Sequence, residues 1–370
     1  MSAELPPVRY AGRPDAVRAA LDGRTLLVST PSNIRWLTGF GGTLGWVVVA
    51  PHRVTLVTDG RYEERATADL ARAGVAADVV AARTRPALRE LLVATAGTSG
   101  TVLAESAHLS HASWTDFAKD LSLGPDEGTI TGLRRVKDEG ELARIGRAAE
   151  IADAALGEVT PMLGEGPTER DVRDELDQRM RRLGADGLSY EPIVASGPEL
   201  AARPHHETSR RPIVEGDTVI IDVGALVDGY HSDMTRTYVV GEPTNEQLEL
   251  YALVRTAQQA GLDAVAPGVA GQDLDAACRR VVEEAGYGDW FVHGTGHGVG
   301  LDIHEAPFAA KAGTEDVLVE GDVVTVEPGL YRDGFGGIRI EDLVTVTPTG
   351  CRRFTHLPKD SPCLPSRPTT

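Results

Sequence analysis

Three histidines in a glycine-rich stretch, residues 290–307, have the types and spacing to do chemistry. They are His293, His297 and His304. On a helix, a histidine pair four residues apart would suggest a zinc site. Four interspersed glycines disfavour that helix by about 1 kcal/mol each. An extended segment would instead place His293, Thr295 and His297 on one face and the glycines on the other. The stretch therefore predicts a functional site and does not match a phosphate-binding loop.

Carboxylates in a repeated segment supply a second set of candidate residues. VEGDTVIIDVG (214–224) and VEGDVVTVEPG (319–329) match at an offset of 105 residues, so that Asp222 corresponds to Glu327. Each copy follows helical sequence and precedes a second acidic strand. An isolated carboxylate in an apolar strand is costly to bury unless it is paired or bound to metal. The repeat predicts a domain of two similar halves that contribute acids to one site.

The first copy continues into a hairpin whose register can be predicted. Asp228–Gly229 is a strong two-residue turn signal. Pairing Val227 with Tyr230 makes Asp222 and Asp233 diagonal neighbours on one face, about 7–8 Å apart or less. Two like charges this close favour a bound cation. Ion pairing to an arginine is the competing explanation, and Arg236 is nearby.

The second copy requires one additional residue in its hairpin. A tight turn at Asp333–Gly334 would place Glu327 and Glu341 on opposite faces. A bulge at Gly336–Gly337 returns both glutamates to the same face, and we predict that bulge. By alternation Arg339 shares the face of Glu341, and its neighbours Ile338 and Ile340 pack behind.

The combined set contains two aspartates, two glutamates and one histidine. It holds too many carboxylates for a single zinc ion and suits two divalent ions, with Mn²⁺ as the first choice and Co²⁺ or Zn²⁺ as alternatives. Paired metal ions activate water and polarise a carbonyl group. Hydrolysis of an acyl bond is the chemistry that this set predicts.

The elements around these residues indicate two domains. Strands alternate with helices up to about residue 121, which predicts an α/β domain over residues 1–130. The Gly- and Pro-rich segment 121–132 is the expected boundary. Helices are predicted from near Asp138 and after Thr168 and Thr244, the last two with capping-box spacing. They belong to a predicted catalytic domain over residues 131–358.

Bulk composition excludes several classes of protein. The net charge of −18 argues against nucleic acid or an anionic membrane as a partner. The three cysteines show no spacing typical of a disulfide framework or zinc site. The N-terminus lacks a signal pattern and no run of 18 apolar residues occurs. A cytoplasmic enzyme is expected.

The motifs together resemble the pita-bread metallopeptidase family, which includes methionine aminopeptidase, aminopeptidase P and prolidase. The resemblance covers about residues 133–350. It rests on HGTGHGVGLDIHE (293–305), on TVEPG and GIRIED around the two glutamates, and on the 11-residue separation of the two aspartates. The N-terminal part is similar to the creatinase/prolidase N-terminal domain. There NIRWLTGFGG and LVTDGRYEERA look more like aminopeptidase P than prolidase.

The resemblance implies a role for each residue of the site. Asp222 would bind one metal ion, His297 and Glu327 the other, and Asp233 and Glu341 both. A hydroxide that bridges the ions would attack the Xaa–Pro carbonyl, with Glu327 as the proton shuttle. Substrate contacts are implied for five residues: His205 in ARPHHET, His293 at the proline pocket, His304 on the carbonyl or oxyanion, and Tyr331 and Arg339 in supporting positions.

The expected function is a Xaa-Pro aminopeptidase acting on peptides with proline at the second position, and a homodimer is expected from the family. A prolidase restricted to dipeptides is the nearest alternative. Two further alternatives come from a different functional class: a metal-free relative of the creatinase kind, and a pseudoenzyme that only binds its ligand. The complete set of ligand positions argues against both. A methionine aminopeptidase is disfavoured because the resemblance implies that enzymes of that type lack the N-terminal domain.

Overall fold

The structure is a computed structural model that describes residues 4–97, 100–311 and 316–364. These residues form two compact units. One is Pro6–Arg134, and the other comprises the described chain from Arg135 onward with the residues before Pro6. Across the described ranges, no helix combines the length and the apolar character needed to cross a membrane.

The first unit is a six-stranded sheet covered by helices. Its strands are β1 (Thr25–Val28), β2 (Trp46–Ala50), β3 (Arg53–Asp59), β4 (Asp78–Ala82), β5 (Thr101–Glu105) and β6 (Ser122–Asp126). Its helices are α1 (Arg13–Leu21), α2 (Pro31–Thr38), α3 (Glu63–Ala73), α4 (Arg85–Ala96), α5 (His111–Phe117) and α6 (Thr129–Arg134). The strand order is β4-β3-β2-β1-β5-β6, and β2 is antiparallel to both neighbours.

The predicted alternation of strands with helices in this unit is confirmed, with two differences. Helix α2 escapes prediction because it is short and begins with a proline, which is tolerated in the first turn. Segment 121–132 is not an irregular connection, since it forms β6 and most of α6. Pro125 is accommodated there because β6 lies at the edge of the sheet.

The second unit contains the repeat. Its helices are α7 (Glu139–Val159), α8 (Glu169–Arg182), α9 (Gly197–Leu200), α10 (Asn245–Ala264) and α11 (Gly271–Glu284), with 3₁₀ turns at Thr160–Glu165 and Gly288–Trp290. Its strands are β7 (Gly187–Leu188), β8 (Ile193–Ser196), β9 (Thr218–Asp222), β10 (Ala225–Val227), β11 (Tyr230–His231), β12 (Thr235–Val239), β13 (Gly296–Gly298), β14 (Glu305–Ala309), β15 (Val323–Val326), β16 (Gly329–Arg332), β17 (Gly336–Arg339), β18 (Asp342–Thr347) and β19 (Gly350–Arg353).

Each half of the repeat packs a pair of long helices against its own strands. Helices α7 and α8 share one apolar core with β8, β9 and β12, and α10 and α11 share another with β15 and β18. Capping boxes begin three of these helices, at Asp138, Thr168 and Thr244. The two capping boxes predicted at Thr168 and Thr244 are thereby confirmed.

The register of the first hairpin is as predicted. Val227 pairs with Tyr230, and further along the same register Asp222 pairs with Thr235. Asp233, two residues before Thr235, is therefore the diagonal neighbour of Asp222. The predicted geometry of the two aspartates is confirmed.

The second hairpin contains the additional residue, but at a different place. A two-residue turn would pair Arg332 with Phe335, whereas the structure pairs Arg332 with Gly336. The turn therefore holds three residues, with Gly334 at φ +81°. The predicted bulge at Gly336–Gly337 is wrong, because both glycines are paired regularly in the ladder. A three-residue hairpin turn absorbs the extra residue without disturbing the strands.

The three-residue turn has the same consequence for the glutamates as the predicted bulge. Val326 pairs with Asp342, so Glu327 and Glu341, the next residues inward, occupy facing positions. Ile338 and Ile340 are 1% and 0% exposed and belong to the core, as predicted. Arg339 and Glu341 point to the opposite side, where a cavity lies.

Candidate active site

The cavity has a volume of about 470 Å³ and lies at the ends of the central strands of both halves. Its wall includes all five residues that the sequence predicts as metal ligands: Asp222, Asp233, His297, Glu327 and Glu341. Asp222 ends β9 and Glu327 follows β15, whereas Asp233 and Glu341 precede β12 and β18, the partners of those strands. The repeat thus places one carboxylate at each of four strand ends.

Three of these residues approach closely enough to share one ion. Ligand atoms of Asp233, His297 and Glu341 all lie within 4.8 Å of one another. His297 Nε2 is 3.6 Å from Asp233 Oδ2 and 3.5 Å from Glu327 Oε1. These separations exceed those of strong charge-assisted hydrogen bonds. The donor atoms therefore surround a space instead of closing on one another.

The imidazole of His297 is oriented by the backbone. Its Nδ1 is 3.0 Å from the carbonyl oxygen of Gly298, to which it can donate a hydrogen bond. In that tautomer the unprotonated Nε2 faces the carboxylates. Metal-binding histidines are commonly fixed in this way through their second nitrogen.

Burial and mutual repulsion disfavour charge on the carboxyl groups. Burial raises the pKa of Asp233 well above its usual range, and the nearby Asp222 and Glu327 raise it further. Burial first and neighbouring carboxylates second likewise raise the pKa of Glu341 well above its usual value. Burial also raises the pKa of Glu327. A divalent cation is the partner that such a group of acids requires.

An arginine offsets part of this charge, but it is Arg339 and not Arg236. Arg339 forms an ion pair of 2.6 Å with Asp222. Arg236 points elsewhere and pairs with Asp342 at 2.9 Å. Ion pairing to an arginine is therefore confirmed for Asp222, but the nearby Arg236 is not the partner. One guanidinium cannot neutralise four carboxylates, so the excess negative charge still favours bound cations.

Two threonines orient the glutamates. Thr235 Oγ1 donates to Glu341 Oε2 at 2.7 Å, and Thr325 Oγ1 donates to Glu327 Oε1 at 3.2 Å. The backbone nitrogen of His297 donates to the Thr325 hydroxyl at 3.1 Å. Such contacts behind the ligands hold the carboxylate oxygens in position.

Tyr190 is a cavity residue that the sequence motifs do not predict. Its hydroxyl contacts a carboxylate oxygen of both Asp222 and Asp233. The single hydroxyl proton of Tyr190 can be donated to only one of these two carboxylates at a time. Burial first, then the charges of these aspartates, raises the pKa of Tyr190 well above its usual value. No motif marks this tyrosine, because it lies in a loop 32 residues before Asp222.

The three other histidines predicted at the site also line the cavity: His205, His293 and His304. The rings of His297 and His304 meet edge to face with centroids 4.4 Å apart. Burial, followed by the charge of His297, lowers the pKa of His304. Burial lowers the pKa of His293 to about 4, so this imidazole is neutral at neutral pH.

Tyr331 lies behind the cavity wall. Its hydroxyl is 3.0 Å from His293 Nε2 and accepts from Arg339 at 2.9 Å. Of the two residues predicted in supporting positions, Arg339 lines the cavity, whereas Tyr331 is not among its described lining residues. Tyr331 therefore connects two residues of the cavity wall, His293 and Arg339, through its hydroxyl group.

The glycine-rich stretch is extended only in part. Gly296–Gly298 forms β13, but Thr295 turns away from the cavity and donates to the buried Asp275 at 3.0 Å. Gly294 lines the cavity beside the histidines. The predicted separation of histidines and glycines onto two faces is therefore wrong: His293 and His297 line the cavity as predicted, but Gly294 and Gly296 line it too and Thr295 does not.

Comparison with known proteins agrees with this geometry. Metallopeptidase family M24 matches residues 143–348, and the creatinase/prolidase N-terminal domain matches residues 17–136. A Xaa-Pro dipeptidase of Pyrococcus furiosus is 42% identical over 234 residues, which are 63% of this chain and 67% of that protein.

Solved structures match nearly the whole chain. The Xaa-Pro dipeptidase from Bacillus anthracis is 34% identical with a TM-score of 0.90, covering 95% of this chain and 99% of that one. The X-Pro aminopeptidase from Thermotoga maritima MSB8 is 31% identical with a TM-score of 0.84, covering 93% and 97%.

The chain belongs to metallopeptidase family M24 and is a metallo-exopeptidase. The predicted fold class is confirmed: a creatinase/prolidase-like N-terminal α/β domain precedes a pita-bread catalytic domain. Membership of the family implies divalent metal ions, and the oxygen-rich donor set around the cavity fits such ions.

Proposed function

We propose that this protein is a Xaa-Pro aminopeptidase that uses two divalent metal ions. The observation that carries the proposal is one cavity in which four carboxylates and His297 face three further imidazoles. The carboxylates would hold the ions and the imidazoles would hold the peptide. The residues involved all fall within 131–358, which we propose as the catalytic domain.

The proposed metal ligands divide between two ions. Asp222 would bind the first, His297 and Glu327 the second, and Asp233 and Glu341 both. Bound divalent ions supply a nucleophilic water at neutral pH and polarise the scissile carbonyl. Mn²⁺ is the proposed native metal because four of the five ligands donate oxygen, with Co²⁺ and Zn²⁺ as alternatives to be tested.

The remaining residues would bind substrate and move protons. Glu327 would shuttle a proton to the leaving nitrogen. His304 would donate a hydrogen bond to the developing oxyanion. His293 would border the proline ring, supported by Tyr331, and His205 would contact the peptide. Arg339 would fix Asp222.

Charge in the cavity supports an aminopeptidase over a dipeptidase. A Xaa-Pro dipeptide ends in a carboxylate directly after proline, whereas a longer peptide has a neutral amide there. Arg339 is the single arginine among the described lining residues, which include no lysine. Its guanidinium already donates to Asp222, Tyr331, Thr235 and the carbonyl of Pro204. These contacts use four of the five N–H groups of Arg339, so a dipeptide carboxylate would meet only one free N–H of this arginine.

A Xaa-Pro dipeptidase is the second candidate. The favouring observation is that the similar proteins from Pyrococcus furiosus and Bacillus anthracis are both described as Xaa-Pro dipeptidases. The proposal also includes the homodimer expected from the family resemblance, which light scattering of the purified protein would test.

One assay separates the two functions. We would remove metal with a chelator, add back Mn²⁺, Co²⁺ or Zn²⁺, and compare hydrolysis of Ala-Pro with that of Ala-Pro-Ala. We expect metal-dependent release of alanine from the tripeptide, most strongly with Mn²⁺, and none from Ala-Ala-Ala. Activity on the dipeptide alone would show that the aminopeptidase proposal is wrong.

A further inference from the structure

Glu169, the first residue of α8, is a buried carboxylate that does not line the cavity. It is 0% exposed, and its two oxygens accept hydrogen bonds from two separate segments. Oε1 accepts from the backbone nitrogen and hydroxyl of Ser196 at 2.8 and 2.7 Å. Oε2 accepts from the backbone nitrogen and hydroxyl of Ser209 at 2.9 and 2.6 Å. Four donors of this kind stabilise a buried negative charge.

A fifth partner of Glu169 is His206. The Nε2 atom of His206 lies 3.1 Å from Glu169 Oε2 and donates to it as the Nε2–H tautomer. The side chain of His206 is 10% exposed, so this hydrogen bond is largely shielded from water. The preceding residue, His205, lines the cavity. Of these two adjacent histidines, His206 is therefore hydrogen-bonded to the buried Glu169, and His205 lines the candidate active site.

The segments that Glu169 connects are both walls of the cavity. Ser196 ends β8, whose first residue Ile193 lines the cavity, and Ser209 follows the loop that carries His205. Three more hydrogen bonds hold this loop: Ser209 and Arg211 accept at their carbonyls from the backbone of α8, and Thr208 accepts from the backbone of Val194. The loop is therefore fixed at several points beside His205.

We propose that Glu169 and His206 form a positioning pair that holds His205 against the bound peptide. The inference rests on the proposed function, in which His205 contacts substrate. It assigns roles to two residues outside the cavity. A histidine rotated by even a small displacement of its loop would lose its hydrogen bond to the peptide, and small misplacements are costly to catalysis.

Amide substitutions of His206 test the geometry of the pair. The side-chain nitrogen of glutamine reaches the place of His206 Nε2, whereas that of asparagine reaches only the place of Nδ1. We expect His206→Gln to retain kcat/KM for Ala-Pro-Ala within about twofold. We expect His206→Asn and His206→Ala to lower it about tenfold or more. Equal losses in the glutamine and asparagine variants would contradict the proposal.

A double-mutant cycle distinguishes positioning from a general structural role. If His206 acts through His205, adding His206→Ala to His205→Ala should cost less than about twofold. A purely structural role predicts the same loss in both backgrounds, and that result would overturn the proposal. Metal content and melting temperature are measured for each variant, and His356→Ala, at an exposed histidine of the same unit, is the matched control.

A binding measurement keeps this test separate from the test of the enzyme's function. The same variants are titrated with Ala-Pro-Ala after chelation, and the dissociation constant is measured by calorimetry. One possible result is that the dissociation constants show the non-additivity expected for His205→Ala and His206→Ala while the metal-loaded wild type does not hydrolyse the peptide. That result would refute the proposed function but support the positioning pair. Equal affinities in wild type, His205→Ala and His206→Ala would refute the pair, whether or not the peptide is hydrolysed.

Discussion

At the scale of single residues, the site is governed by uncompensated negative charge. Four carboxylates share a cavity with one guanidinium, that of Arg339, which is already paired with Asp222. Burial is the main reason that the pKa values of Asp233, Glu327 and Glu341 are raised. In the absence of bound cations, burial and the charges of neighbouring carboxylates disfavour ionisation of these groups. The same charge that makes the metal-free site unfavourable makes it a strong binding site for divalent ions.

Replacing Asp233 by asparagine should affect metal binding and metal-free stability in opposite directions. We expect Asp233→Asn to lose bound metal and at least about 100-fold in kcat, because a ligand proposed for both ions is removed. In chelated protein at neutral pH, we expect the variant to melt higher than the wild type, since folding no longer requires a buried carboxyl group to take up a proton or to stay charged. Metal analysis, peptide assays and thermal denaturation measure these effects.

The control for this substitution is Asp263→Asn, which alters an exposed aspartate of the same unit. It should leave metal content, activity and melting temperature unchanged. If Asp233→Asn kept its metal and its activity, the proposed ligand set would be wrong.

At the scale of elements, β13 brings His297 to the carboxylates because its glycines allow close approach. A Cβ atom on Gly296 would lie 2.1 Å from the carbonyl oxygen of Thr325. Thr325 lies on β15 and donates to Glu327, the proposed ligand two residues further along. The backbone of β13 therefore packs directly on the strand that positions another part of the site.

Gly296→Ala should separate these two strands. We expect the added methyl group to lower the free energy of unfolding by about 1–3 kcal/mol. We also expect weaker metal binding, since His297 follows directly. Chemical denaturation and metal titration measure the two effects.

The matched control is Gly132→Ala, which adds the same atom to an exposed helical glycine with nothing within 4 Å. We expect that variant to be at least as stable as the wild type. An equally stable Gly296→Ala with unchanged metal affinity would show that close packing of β13 is unimportant.

At the scale of the whole molecule, proton binding at the site links stability to pH. Because their pKa values are raised, Asp233, Glu327 and Glu341 together bind more protons in the folded metal-free protein than in the unfolded chain above a pH of about 4. The contribution of these three groups to stability should therefore fall as pH rises from their unfolded pKa values through the raised folded ones. Bound metal ions replace these protons, so metal affinity should increase with pH.

The gap in melting temperature between metal-loaded and chelated protein should consequently widen from acidic to neutral pH. Scanning calorimetry of both forms across a pH series measures the gap, and groups outside the site contribute equally to the two forms. A gap that stays constant or narrows as pH rises would contradict the assigned pKa shifts. Chelated Asp233→Asn should show a smaller dependence on pH than chelated wild type.

The amino-acid sequence alone establishes the repeat, the register of the first hairpin and the resemblance to the family. These are local properties: Asp228–Gly229 specifies a two-residue turn, and counting along paired strands then places Asp222 and Asp233 together. The acidic candidates stand out along the chain because an apolar strand that recurs with an acid inside it needs a partner for that charge.

Which neighbours complete the site depends instead on tertiary packing. The arginine beside the carboxylates is Arg339, Tyr190 bridges two aspartates, and the hydrogen bond to Asp275 turns Thr295 away. Of the adjacent histidines, His205 lines the cavity while buried Glu169 holds its neighbour. Each result depends on contacts between residues far apart in sequence. Spacing along the chain does not encode such contacts, since packing of the two halves determines which side chains meet.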